Sequence, residues 1–252
     1  MILSRRWRLV FIKGRKVGGT SVEMALSELA GPADIVTPIT PVDERARLAR
    51  GARPRNYGPS PAEERAYLGL VRRARPERLP GSVPATTFYN HMPLTEVLTR
   101  AGPLDGYQVW CCERSPYAKV ISWANMRASF EAYRTGGAMA ADPASLQRAL
   151  DQGLESGKVT TVRNIDLYRD SAGELAARAL RCERLGRDYL ELMAELGVAR
   201  PPPLPHAKRG LMSERLDPRQ VLRPDQLRRI NQLFAEEFAV FGYRPVGLVT
   251  AS

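Results

Sequence analysis

The stretch Leu9-Val10-Phe11-Ile12-Lys13-Gly14-Arg15-Lys16-Val17-Gly18-Gly19-Thr20-Ser21 decides the fold class. Four apolar residues lead into a basic, glycine-rich turn that ends in two hydroxyl residues. Val22, Ala25, Leu26 and Leu29 then recur at i, i+3, i+4 and i+7, so the segment predicts strand, loop and amphipathic helix. Backbone N–H groups at a helix N-terminus carry partial positive charge and bind anions. Gly18 and Gly19 let the backbone come close to a phosphate, and Thr20 and Ser21 are expected to cap the helix and donate hydrogen bonds. An ordinary glycine turn between strand and helix is the competing reading.

The loop is not a Walker A motif, which needs its lysine after the last glycine. Lys16 precedes the glycine pair, and the pattern is not G-x-G-x-x-G either. The order Lys-x-Gly-Gly-Thr-Ser after a strand instead resembles the 5′-phosphosulfate loop of sulfotransferases, commonly P-K-T-G-G-T-S in the carbohydrate-type branch. Arg15 stands where that loop has proline, and Val17 where it has Thr or Ser. The resemblance implies that Arg15, Lys16, Val17, Gly18, Gly19, Thr20 and Ser21 hold the 5′ end of a nucleotide sulfuryl donor.

A second element follows further along the chain. Tyr107–Cys112 is apolar apart from Gln108, as expected of a central parallel strand buried on both faces. Arg114 at its carboxyl end can fork onto phosphate oxygens. Pro116 is expected to start a helix, with Ser122 about two turns in. The run Arg114-Ser115-Pro116-Tyr117 with Ser122 resembles the family's V-x-R-[ND]-P-Y-x-R-x-x-S, which binds the 3′-phosphate. Leu180-Arg181-Cys182-Glu183-Arg184-Leu185 is similar to the family's [LI]-R-x-E-x-L segment. Lys208-Arg209-Gly210 resembles its late basic loop, and Phe238-Ala239-Val240-Phe241-Gly242-Tyr243 its F-x-x-F-G-Y close. The resemblance covers Leu9 to Tyr243. It implies a carbohydrate-type sulfotransferase that uses 3′-phosphoadenosine 5′-phosphosulfate (PAPS) as co-substrate, with no metal required.

Sulfuryl transfer to a hydroxyl needs positioning, a cation at the leaving oxygen and a base for the acceptor proton. Lys16 is the candidate cation. The chain has two histidines. His91 is expected to follow a strand at Thr86–Tyr89, and imidazole can take a proton near neutral pH. A packing or capping role is the alternative for His91. His206, beside Lys208, is expected to contact cofactor or backbone. Glu113 competes as the base or pairs with Arg114, and Glu23 is a further candidate base or acceptor-binding residue.

At 252 residues the chain suits one α/β domain, 1–252, with 38–84 and 128–163 as acceptor-side insertions or loops. Segment 38–84 reads as a mobile substrate loop, with a helical pattern over Pro61–Arg75. Alternating strands and helices predict a mainly parallel central sheet with helices on both faces, in a P-loop-like sulfotransferase architecture. A last helix is expected from Pro224 through Phe241. The net charge of +11 favours anionic partners. Its excess is mostly arginine, scattered along the chain and dense over Glu44–Arg78, and reads as a solvated surface. No nucleic-acid-binding motif accompanies them. No apolar run approaches the roughly 20 residues of a membrane helix. Met1–Ile12 lacks a small-residue cleavage site, so no signal peptide is expected. The three cysteines read as buried residues of a reducing, cytoplasmic compartment. The acceptor is expected to be a hydroxyl-bearing saccharide or small natural product, with an anionic one favoured by the arginines. Two alternatives stand beside the sulfotransferase reading: a small-molecule kinase with a divergent phosphate loop, and a non-catalytic polyanion-binding module.

Overall fold

The computed structural model describes residues 1–75, 79–80, 83–84, 86–134, 142–205 and 217–247. It is an α/β structure built on a five-stranded mixed sheet. Strand β1 (Ile2–Ser4) pairs antiparallel with β2 (Leu9–Ile12), Ile2 opposite Phe11 and Leu3 opposite Val10. Four residues separate the two strands, too few for the crossover that parallel pairing requires. The first helix, α1 (Gly19–Glu28), leads to β3 (Ile35–Val36), which pairs antiparallel with the other edge of β1. Strand β3 therefore runs in the same sense as β2, with β1 reversed between them.

Within segment 38–84 the expected helical pattern over Pro61–Arg75 is helix α3 (Pro61–Arg73), and a second helix, α2 (Pro41–Ala49), stands where a loop was expected. Each begins at proline after a hydroxyl cap. Thr40 accepts from the Asp43 N–H, and Ser60 forms a capping box with Glu63. Tyr67, Leu68 and Val71 of α3 form a small apolar cluster with Leu48 of α2. Thr86–Tyr89 is not a strand. The N–H groups of Thr87 and Phe88 both donate to the Tyr57 carbonyl, at 2.8 and 2.9 Å.

Helix α4 (Leu94–Ala101) precedes β4 (Gln108–Glu113), which lies parallel to β2 with Phe11 opposite Trp110 and Ile12 opposite Cys111. Burial along β4 deepens from an exposed Gln108 to a fully buried Cys111, Cys112 and Glu113. Helices α5 (Pro116–Arg134) and α6 (Pro143–Glu155) follow, then β5 (Arg178–Arg181) and α7 (Leu185–Glu195). The sheet order is β3-β1-β2-β4-β5. The expectation of a mainly parallel sheet is thus corrected by β1, a short N-terminal strand inserted between two strands of the opposite sense.

The expected single last helix is two, α8 (Pro224–Leu233) and α9 (Ala235–Val240). Phe234 between them leaves helical geometry at φ −116° and ψ 18°. The break keeps Ile230, Phe234 and Phe238 in one buried cluster with Tyr117, Val120 and Ala124 of α5. The chain divides into two compact units. One contains Met1–Gly14, Gly18–Cys112 and residues 166–205; the other contains Arg15–Val17, Glu113–Ile165 and residues 217–247. Among the described residues no helix is long and apolar enough to cross a membrane.

Candidate phosphate-binding site

The glycine-rich loop has the geometry its composition suggests. Gly18 is the N-cap of α1 at φ 76°, a left-handed conformation that glycine adopts without steric cost. A Cβ on Gly18 would stand 3.2 Å from the Cys182 Sγ, and one on Gly19 would stand 3.2 Å from the Lys13 Cγ. Among the described residues no side chain caps α1. Thr20 and Ser21 lie inside its first turn, so they do not take the expected capping role, and the Ser21 N–H turns back to the Gly18 carbonyl at 3.2 Å. A helix that starts on glycine, without a side-chain acceptor over its first N–H groups, can offer them to an anion.

Burial accounts for Val17. Its side chain is 1% exposed, so an apolar group there anchors the loop. Arg15 is exposed, but its backbone is gripped at both ends by Asn164. The Arg15 N–H donates to the Asn164 Oδ1 at 2.8 Å, and the Asn164 Nδ2 donates to the Arg15 carbonyl at 3.0 Å. Lys16 is left-handed at φ 63°, and its Nζ lies 3.6 Å from the Met126 Sδ on α5.

Lys13 opens the loop and is itself buried. Its Nζ lies 2.8 Å from the Glu23 Oε2, and the Met1 amino group lies 2.7 Å from the Glu23 Oε1. Burial alone would raise the Glu23 carboxyl, but Lys13, the Met1 amino group and Arg47 together hold it well below the usual carboxylate range. A buried, ion-paired carboxylate that resists protonation is unsuited to the role of base, so the Glu23 expectation is corrected. His91 follows a turn rather than a strand and has φ 60°. Its Nδ1 lies 2.9 Å from the Lys13 carbonyl oxygen. A carbonyl only accepts, so the ring proton sits on Nδ1 and the lone pair of the neutral ring on Nε2.

Glu113 ends β4 fully buried, and its partner is Lys119 rather than Arg114. The Glu113 Oε1 lies 2.8 Å from the Lys119 Nζ and accepts the Arg114 N–H at 2.8 Å. Lys119 also meets the Glu237 Oε2 at 2.6 Å. Burial pushes the Glu113 carboxyl up to about 7, with Glu237 adding to the rise and Lys119 opposing it. Arg114 itself is half-buried, and Ser122 is half-buried on α5. Lys208, Arg209, Gly210 and His206 lie outside the described residues.

A cavity of about 370 Å³ is lined by Trp123, Arg127, Gln152, Gly153, Ser156 and Lys158, among others, and by none of the expected site residues. A Cβ on Gly153 would fall 2.3 Å from the Trp123 ring, so glycine lets the indole lie against α6. Lys13, Lys119, Asn164 and Glu237 were not foreseen as site-supporting residues. Of these, Lys119 alone carries a local signal: it stands at the second arginine of the motif R-[ND]-P-Y-x-R.

No protein-family model, curated protein or solved structure matches the chain. The fold and local geometry define an α/β protein whose glycine-rich strand–loop–helix element is suited to hold an anion.

Proposed function

We propose that this protein is a PAPS-dependent sulfotransferase that moves a sulfuryl group to an acceptor hydroxyl. The observation that carries the reading is the parallel pairing of β2 with β4. The glycine-rich loop leaves the carboxyl end of β2, and Arg114 leaves the carboxyl end of β4. In α/β sheets, ligands bind outside the carboxyl ends of the strands. Each of the two strands leads into a helix, and each connection together with the helix after it carries basic and hydroxyl residues in the order of one sulfotransferase element. A P-loop-like architecture in a single cytoplasmic domain belongs to the same proposal.

In this reading the backbone of Val17, Gly18 and Gly19, with Thr20 and Ser21, takes the 5′-phosphate. Arg114 and Ser122 take the 3′-phosphate, and Lys208, Arg209 and Gly210 close over it. Lys16 follows the charge that builds on the bridging oxygen as the bond between that oxygen and sulfur breaks. The acceptor oxygen forms the new bond to sulfur and gives its proton to the His91 Nε2. Adenosine 3′,5′-bisphosphate and the sulfated acceptor depart. The acceptor is a saccharide or small natural product, and the arginine-rich surface favours an anionic one.

Thermal denaturation tests the reading. Adenosine 3′,5′-bisphosphate at about 100 times its Kd would stabilise the fold by about 2.7 kcal/mol, raising the melting temperature by about 5–10 °C. Stabilisation by ATP with magnesium, and none by the bisphosphate, would overturn the proposal in favour of a kinase.

A further inference from the structure

We infer that Asn164 is a positioning residue for the phosphate loop, held in place by Glu237 and Lys119. The inference rests on the sulfotransferase reading of that loop. Asn164 is fully buried and lies 149 residues from Arg15, yet one side chain holds both the N–H and the carbonyl of Arg15. The next residue, Lys16, is left-handed at φ 63°, a conformation that costs an L-residue about 1–2 kcal/mol. A local preference cannot hold it there, so the surrounding structure must. In a trans peptide the carbonyl and the following N–H point opposite ways. By holding the Arg15 carbonyl, Asn164 turns the Lys16 N–H to the opposite side of the loop.

Asn164 is itself fixed from behind. Its N–H donates to the Glu237 Oε1 at 2.5 Å, and the Ile165 N–H reaches the same oxygen at 3.2 Å. The other Glu237 oxygen takes the Lys119 Nζ at 2.6 Å, and Lys119 goes on to Glu113, which accepts the Arg114 N–H. One continuous buried chain therefore runs from the backbone of Arg114 to the backbone of Arg15. Its members are 0% exposed at Glu113, Lys119, Asn164 and Glu237. Buried polar networks fix a single geometry where their members find partners, as Lys119, Glu237 and Asn164 do, while the Glu113 Oε2 accepts no hydrogen bond among the described residues. The expected consequence is selective: loss of Asn164 loosens the loop that takes the 5′-phosphate and spares the Arg114–Ser122 element that takes the 3′-phosphate.

Isothermal titration of the full chain with adenosine 5′-phosphate, adenosine 3′-phosphate and the 3′,5′-bisphosphate tests this. Asn164→Ala should weaken the 5′-phosphate and the bisphosphate about tenfold while changing the 3′-phosphate less than about twofold. Asn164→Asp, nearly isosteric, keeps the acceptor for the Arg15 N–H and loses the donor to its carbonyl. It should show the same selectivity and serves if the alanine variant does not fold. Equal weakening of all three ligands, or unchanged 5′-phosphate affinity in either folded variant, would overturn the positioning role. A wild-type chain that binds none of the three overturns the sulfotransferase reading and the inference with it.

Discussion

The Nδ1 of His91 lies 2.9 Å from the carbonyl oxygen of Lys13, the residue that opens the glycine-rich loop. The hydrogen bond fixes the tautomer and the ring plane at once. It also helps explain why His91 tolerates φ 60°, since strained backbone persists where surrounding contacts over-determine it.

His91→Ala should therefore lower turnover by about 10²–10⁴-fold, the usual worth of a general base, and leave bisphosphate affinity nearly unchanged. His91→Asn keeps a donor near the Nδ1 position for the Lys13 carbonyl but cannot take the acceptor proton, so it should be as slow as the alanine variant. Steady-state kinetics beside calorimetric binding separates the two effects. Turnover retained in the asparagine variant would assign His91 to packing alone.

Gly18→Ala tests whether loop geometry governs anion binding. The substitution forces an L-residue to φ 76° and places its Cβ 3.2 Å from the Cys182 Sγ. The left-handed conformation alone costs about 1–2 kcal/mol, which lowers the melting temperature by several degrees. Bisphosphate affinity should fall by more than stability accounts for, because the α1 N-terminus is re-aimed. A variant with wild-type affinity would remove the Gly18 turn from the binding site.

The elements legible in the sequence are those whose signals are local. Leu9–Ile12 with the glycine pair, and Trp110–Cys112 with Pro116, each mark a strand end and a helix start within a few residues. Strand β1 escaped because three residues give too short a pattern, and its sense is set by the length of the following turn. Thr86–Tyr89 misled because strand propensity measures fit to a sheet, and among the described residues no strand pairs with that segment; the N–H groups of Thr87 and Phe88 go to the Tyr57 carbonyl instead. Arg47 looked like one solvated arginine among many. It is fully buried, with its Nε 2.8 Å from the Glu44 Oε1 and its Nη2 2.9 Å from the Thr37 carbonyl. Asn164 and Glu237 are 73 residues apart and share no periodicity or motif. Only the folded chain brings one to the glycine-rich loop and the other behind it.

The pair of carboxylates around Lys119 makes a prediction about pH. Its Nζ lies 2.8 Å from the Glu113 Oε1 and 2.6 Å from the Glu237 Oε2, two buried acids against one buried base. Burial first, then Glu237, push the Glu113 carboxyl from 4.5 up to about 7, against the pull of Lys119 and the Arg114 N–H. The folded protein thus holds this proton more tightly than the unfolded chain does. Its contribution to stability is full below about pH 4.5, declines as pH rises to about 7, and is level beyond. Glu113→Gln has no such proton and keeps an oxygen for Lys119 and for the Arg114 N–H. The melting temperature of the variant minus that of wild type should therefore rise between about pH 4.5 and about pH 7 and level off above, with other titrating groups cancelling in the difference. Calorimetry across that range reads it directly. A flat difference would mean that Glu113 is ionised in the folded state throughout, with Lys119 compensating both carboxylates.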